Sequence, residues 1–373
     1  MIYLDYSATT PVDERVLETF SKVCREYPGN SNSLHTLGVK SKQLEDYATE
    51  KIAKMLNVKP SEVIYTSGAS ESNNTAIKGI CLKYQNRGKH IITTHLEHSS
   101  VIEPINYLVG LGFTVDYVNI DDDGLVDLED LKNKLRDDTV LVSICMVDSE
   151  IGLKQPIKEI GDILKKYPKC YFHVDCTQAL GKIPIDLTNV DMASMSAHKI
   201  YGMKGIGLLI KKENIAIEPL IHGGKSTTIY RSGTPALPLI VSLMKAMELI
   251  VPTVDKNLEY ITRLNKYVVD KLKEYPLVHI NSTVNSMPQV INFSLAKIKP
   301  ETFLHALDSK EVYISTKSAC SSGKSMSSSV YALTKDEELA SHSLRISLSY
   351  KTTMEELNNF LEIFDDSYRQ LDI

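Results

Sequence analysis

The 373-residue chain is missing several things that would have set its class at once. It has no long basic run, and 42 Lys and Arg against 47 Asp and Glu give a formal net charge of −5. Nucleic acid is therefore not an expected partner. No apolar stretch approaches the ~20 uninterrupted residues of a membrane span. The longest, PALPLIVSLMKAMELIV, carries Lys245 and Glu248 and reads as a buried helix. The first residues, MIYLDYSATTP, show neither the basic flank nor the apolar core of a signal peptide. The 6 cysteines stand at 24, 81, 145, 170, 176 and 320, with no pair at zinc-site or redox-motif spacing. No metal site is expected, and free thiols in a reducing cytoplasm are. There is no internal repeat.

What is present is an ordinary globular composition, 43% hydrophobic and 24% charged. Apolar runs of strand length recur as EVIYTS, HIITT, TVDYVNI, VLVSICMV, YFHVDCT, DMASMSA and GIGLLI. Helical patterns such as TAIKGICLKY, DLEDLKNKL and PIKEIGDILKKY separate several of them. Alternation over this length predicts an α/β fold with a mainly parallel sheet covered on both faces. Upstream, a helix with Val16, Phe20 and Val23 on one face is expected, then a long one marked by Leu44, Tyr47, Ile52 and Met55. Near residue 250 the texture changes to a long connecting helix, then shorter strands and helices. Two domains are expected: residues 12–250, and a smaller α+β unit of 251–373 joined by 1–11. The last helix opens on Thr353 with Glu356 three residues on, the signature of a capping box.

Chemistry concentrates around Lys199, in SMSAHKIYGMKGIGLLI, between a strand and a Gly-bearing turn. A lysine desolvated there becomes a usable nucleophile. YTSGASESNN runs a strand into a Gly-Ala-Ser turn and a helix start, a natural phosphate site to which Ser70 adds a hydroxyl. In YFHVDCTQALGK, Asp175 follows an apolar strand directly. A carboxylate in that position needs a partner, and the protonated ring nitrogen of pyridoxal phosphate is one. Each feature has a plainer explanation alone: a surface lysine, an N-cap of Ser67 or Ser70, an N-cap aspartate. An anion site, a strand-end Asp and a strand-end Lys in this order argue together for a cofactor site. His98, after HIITT, is placed to lie on a cofactor ring. Thr234, in a polar Gly-containing loop, is a candidate phosphate contact. The Ser-dense stretch STKSACSSGKSMSSS holds Cys320 beside Lys317 and Lys324, whose ammonium groups favour thiolate. In SLRISLSY, Leu344, Ile346 and Leu348 alternate with Ser343, Arg345 and Ser347, and Arg345 suits a substrate carboxylate.

From YLDYSATTP through the His-Lys pair to the Ser-Ala-Cys loop and the Arg-Ile-Ser-Leu strand, the chain resembles the cysteine desulfurases. These are pyridoxal phosphate enzymes of the class V aminotransferase group with the fold type I architecture. The resemblance implies a homodimer that converts L-cysteine to L-alanine and passes the sulfur to an acceptor protein. By it, Lys199 carries the cofactor, Asp175 holds the ring nitrogen, Gln178 the ring oxygen, and His98 stacks on the ring. Ala69, Ser70, Ser196 and His198 hold the phosphate, and Thr234 does so from the partner subunit. Cys320 takes the sulfur as a persulfide, and Arg345 and Asn30 bind the substrate carboxylate. The family commonly has Asn-Asn where this chain has Asp148 and Ser149, so a cofactor contact falls on Ser149. The same resemblance covers selenocysteine lyases and class V aminotransferases that do not use Cys320; an alternative from a different class is a sulfur-delivery partner or scaffold in iron–sulfur assembly or tRNA thiolation, with weak activity of its own.

Overall fold

The computed structural model describes residues 1–316 and 326–371. A seven-stranded sheet holds the strands β2 (Val63–Thr66), β3 (His90–Thr94), β4 (Thr114–Val118), β5 (Thr139–Cys145), β6 (Tyr171–Asp175), β7 (Met192–Ser196) and β8 (Gly207–Lys211). Their spatial order is β2-β8-β7-β6-β5-β3-β4. β7, β6, β5, β3 and β4 run parallel, and β8 is antiparallel to both its neighbours. The fold is therefore α/β with a mixed, mostly parallel sheet. β3, β5, β7 and β8 are buried along their whole length, as strands covered on both faces must be.

The flanking helices follow amphipathic logic. α1 (Glu14–Glu26) buries Val16 and Val23, with Asp13 as N-cap. α2 (Thr36–Leu56) buries Ser41, Glu45, Ala48, Ile52 and Leu56, while Tyr47 is 48% exposed. That moves the buried stripe off the expected face: burial of Glu45 is made tolerable by Ser31 Oγ at 2.5 Å and Lys42 Nζ at 3.1 Å. α3 (Ala69–Tyr84), α4 (Ser99–Val109), α5 (Leu128–Lys134) and α6 (Ile157–Leu164) occupy the crossovers. α7 (Leu237–Ile250) runs on through a 3-10 turn into α8 (Val254–Leu272). By length and composition this run could cross a membrane, contrary to the expectation that no stretch comes near. α7 is instead a core helix, packed on α1 and α2 with Ile240, Leu243 and Met247 buried.

A second core gathers around Phe364, whose ring meets those of Phe293, Phe303 and Phe360 edge-on. It is built from β9 (Val278–Ile280), β10 (Val290–Leu295), α9 (Pro300–Asp308), β11 (Val312–Tyr313), β12 (Ser343–Ser347) and α12 (Met354–Gln370), together with α8; α10 (Ser328–Thr334) and α11 (Glu337–Ser341) pack instead in a small cluster with Leu96, Cys145, Ile151 and Leu153. β12, β10 and β9 form an antiparallel sheet. The capping box of Thr353 and Glu356 is formed. β1 (Ile2–Tyr3) pairs in parallel with β11, and Asp5 bridges to Ser347. The first residues thus join this region and then pass to the large sheet. Thr10 donates N–H and hydroxyl to the carbonyl of His198, each at 2.9 Å, and Tyr201 N–H returns to Thr10 Oγ1 at 2.7 Å.

Gly207, at the start of β8, faces the turn that begins α3. A Cβ there would lie 2.6 Å from both Gly68 Cα and Met195 O. Gly207→Ala is therefore expected to cost about 1–3 kcal/mol as overpacking, read as a lower Tm in a thermal scan. A Tm equal to wild type would mean that the Gly68 turn yields freely.

Candidate active site

Five strands deliver polar residues to one cavity of about 430 Å³. β2 ends in the turn of Ser67 and Gly68, β3 leads to His98, β5 to Ser149, β6 ends in Asp175, and β7 ends in Ser196 before His198 and Lys199. All lie beyond the carboxyl ends of strands, where open α/β sheets put their ligands. In register, Asp175 pairs with Cys145 on one side and Ser194 on the other.

Of the residues expected from sequence, Ala69, Ser70, His98, Ser149, Asp175, Gln178, Ser196, His198, Lys199 and Arg345 line this cavity. Asn30 does not: it is exposed, and its side chain accepts the N–H of Asn32 at 2.9 Å, closing a local turn. Thr234 is exposed and also outside it; its expected role was toward the cavity of a partner subunit. Cys320 lies outside the described residues.

Gly68 begins α3 with φ +153 and offers no side-chain cap, so neither Ser67 nor Ser70 caps the helix. The first-turn N–H groups are left to face a ligand, with the helix dipole behind them. Glu71 in that turn is drawn aside by Arg231 Nε at 2.9 Å and Ser67 N–H at 2.7 Å.

Lys199 Nζ donates to the carbonyls of Ser7 and Ala8, at 2.6 and 2.7 Å. His198 Nδ1 lies 3.1 Å from Thr9 Oγ1. Burial, with Lys199, Lys204 and Lys182 nearby, pushes His198 down to about 4, so its ring is neutral. Asp175 is buried and both its oxygens accept: Thr177 N–H at 2.9 Å and Asn73 Nδ2 at 2.8 Å. Gln178 donates to Ser7 O at 3.0 Å and accepts from Lys182 Nζ. Burial holds that ammonium's pKa well below the ordinary lysine range. Arg345 is 1% exposed rather than solvent-facing. Its Nη1 donates to Ser149 O and its Nη2 to Asp5, both at 2.8 Å, and its Nε is buried without a hydrogen bond. Ser149 thus faces the cavity while its carbonyl anchors that arginine.

Beneath Ser149, Asp148 accepts three backbone N–H groups and the hydroxyl of Ser329. Burial and the neighbouring Glu150 carry it up to about 6. Glu97, buried beside Cys145, is pushed by burial up to about 8. No group of His, Cys, Asp and Glu among the described residues has the arrangement of a metal site.

Sequence reasoning passed over Ser7, Ala8, Thr9, Asn73, Ser100 and Lys182. The stretch SATT was the available signal for the first three: small polar residues inside an extended segment.

A family model of class-V aminotransferases matches residues 2–360. The chain belongs to that family. It is 42% identical to the cysteine desulfurase IscS of Dictyoglomus turgidum, across 98% of this chain and 93% of that protein. Among solved structures, a NifS-like protein superposes with a TM-score of 0.92 at 37% identity, covering 98% of each chain. The structure titled SspA in complex with cysteine superposes at 0.83 with 32% identity, over 95% of this chain and 100% of that one. Within the class-V family the chain therefore falls among the cysteine desulfurases.

The residues present fit pyridoxal phosphate. An uncapped helix start suits a phosphate, a buried carboxylate suits a protonated ring nitrogen, and a lysine amine lies at the same cavity.

Proposed function

We propose that the chain is a pyridoxal phosphate-dependent cysteine desulfurase that takes sulfur from L-cysteine as a persulfide on Cys320 and leaves L-alanine. The observation that carries this reading is the delivery of Lys199, Asp175, His98 and an uncapped helix start to one cavity. The relative solved with cysteine favours that substrate.

When bound, the cofactor supplies a sink for the electrons left as the substrate's α-proton departs. Lys199 would hold it, and its amine would serve as the base that moves that proton. Asp175 would keep the ring nitrogen protonated, Gln178 would hold the ring oxygen, and Ala69, Ser70, Ser196 and His198 would hold the phosphate. Arg345, already set by Asp5 and Ser149, receives the substrate carboxylate. The Cys320 thiolate attacks the substrate sulfur, whose bond to carbon breaks. Enzyme thiol and cysteine go in; enzyme persulfide and alanine come out. The sulfur then passes to an acceptor protein in the cytoplasm. Residues 12–250, and 251–373 with 1–11, are two domains in this reading, and the enzyme is a homodimer in which Thr234 of the partner subunit completes the phosphate site.

Cys320→Ala tests it. The variant is expected to keep the yellow band of bound cofactor yet form neither persulfide nor sulfide from L-cysteine, with alanine and sulfide both quantified. Sulfide release at the wild-type rate would remove Cys320 from the mechanism.

A further inference from the structure

His98 is the N-cap of α4, and Ser100 N–H donates to its Nδ1 at 3.1 Å. A backbone N–H can only donate, so Nδ1 carries a lone pair and the ring proton of the neutral form sits on Nε2. Ser100 Oγ also lies 2.8 Å from Nδ1. On its other side, that hydroxyl accepts from Asn73 Nδ2 at 2.8 Å, so its own proton is free to point at Nδ1.

Asn73 sets the direction of the whole chain. The same Nδ2 donates to Asp175 Oδ2 at 2.8 Å, and the side chain is fully buried on α3. Turning the amide over would place its oxygen against the carboxylate, so the orientation is fixed by charge. The orientation leaves Asn73 Oδ1 buried without a hydrogen-bond partner. A buried amide that leaves its acceptor unmet is held by what its donors do.

We propose that Asn73 and Ser100 form a directional hydrogen-bond relay from Asp175 to His98, fixing His98 as a donor through Nε2 at the cavity. This rests on the reading of the cavity as a cofactor site. Both are positioning residues, acting through Asp175 and His98. In consequence His98 offers a proton to the reacting atoms rather than removing one, and the amine of Lys199 is left as the base. One amide joins the group at the ring nitrogen to the group expected on the ring face, so a shift at either is felt at the other.

The charged groups around His98 come from three elements: Asp175 from β6, Lys199 from the turn after β7, and Glu150 from the loop after β5. Burial first, and Lys199 in addition, depress its pKa, while Asp175 and Glu150 oppose this. A hydroxyl donating to Nδ1 favours the neutral ring, so removing that donor acts in the opposite sense to burial.

The test is carbon-13 NMR of labelled histidine in the full-length chain, with cofactor bound and after its removal. His98→Gln identifies the signal among the 10 histidines. In wild type, the ring-carbon shifts should report the Nε2–H tautomer. Ser100→Ala and Asn73→Ala should each shift the His98 titration upward, and Ser100→Thr should restore it. An Nδ1–H tautomer in wild type, or a titration unmoved in Ser100→Ala, would overturn the relay. If Asn73→Ala does not fold, the Ser100 pair carries the test alone. A wild-type chain that shows no visible band after addition of pyridoxal phosphate would sink the cofactor reading; the tautomer would still be read from the same spectra.

Discussion

Lys199→Ala is expected to remove the visible cofactor band and to lower alanine formation from L-cysteine by about 10³-fold or more, the scale of losing a covalent or acid–base group. The substitution deletes the amine that closes the 3-10 turn after β7 and breaks two contacts of 2.6 and 2.7 Å to the carbonyls of Ser7 and Ala8. Those carbonyls sit at the cavity wall, so water can replace the lost donor, and the cost to stability stays near that of one or two ordinary hydrogen bonds, about 1–2 kcal/mol. Lys199→Arg separates the two effects. Its guanidinium can still reach the Ser7 and Ala8 carbonyls, so this variant should melt close to wild type. It cannot form the covalent link at ordinary pH, so its band should vanish as well. An unchanged band in either variant would show that the cofactor is attached elsewhere or not at all.

Much of this arrangement is written locally. The strands of the large sheet other than the edge strand β4, which is only partly buried, appear in the sequence as short apolar runs, because a strand buried on both faces has no polar face to show. The chemistry-bearing groups then follow those runs at once: Asp175 is the last residue of β6, and Lys199 closes the 3-10 turn after β7. Position relative to a strand end was enough to find them. The reversal of β8 between β7 and β2 could not be read in the same way, since an apolar run carries no direction.

What escaped sequence reading was polar and interior. Asn73 lies in a run of Glu, Ser and Asn that has the look of any exposed first turn, yet it is fully buried, because its donors are spent on Asp175 and Ser100. Glu45 hides in the same way on α2 and pulled the predicted stripe off by leaving Tyr47 outside. Lys182 reads as a residue at a helix end, and only the fold brings it under Gln178. Arg345 sat on the polar face of an alternating strand; that face is buried, and Arg345 on it lines the cavity rather than meeting solvent. Periodicity separates apolar from polar positions, but it cannot tell a polar face turned to water from one turned to a buried site.

Asp175→Asn should be the most informative substitution near the cofactor. It is nearly isosteric, so Lys199, the α3 helix start and the cavity remain, and the cofactor band is expected to persist. Two changes follow from geometry. The carboxylate charge is lost, and with it the means of keeping the ring nitrogen protonated; turnover should fall by about 10²–10⁴-fold. In addition, Oδ1 and Oδ2 both accept N–H groups, from Thr177 and Asn73. An asparagine must turn its NH₂ toward one of them, at a cost of about 1–3 kcal/mol for the donor left unpaired, read as a lower Tm. The His98 titration adds a sign. Asp175 favours the charged form of His98, so its neutralisation should move that titration to lower pH, opposite to Ser100→Ala. Turnover within a few-fold of wild type, with the cofactor retained, would mean that no part of the reaction leans on this carboxylate.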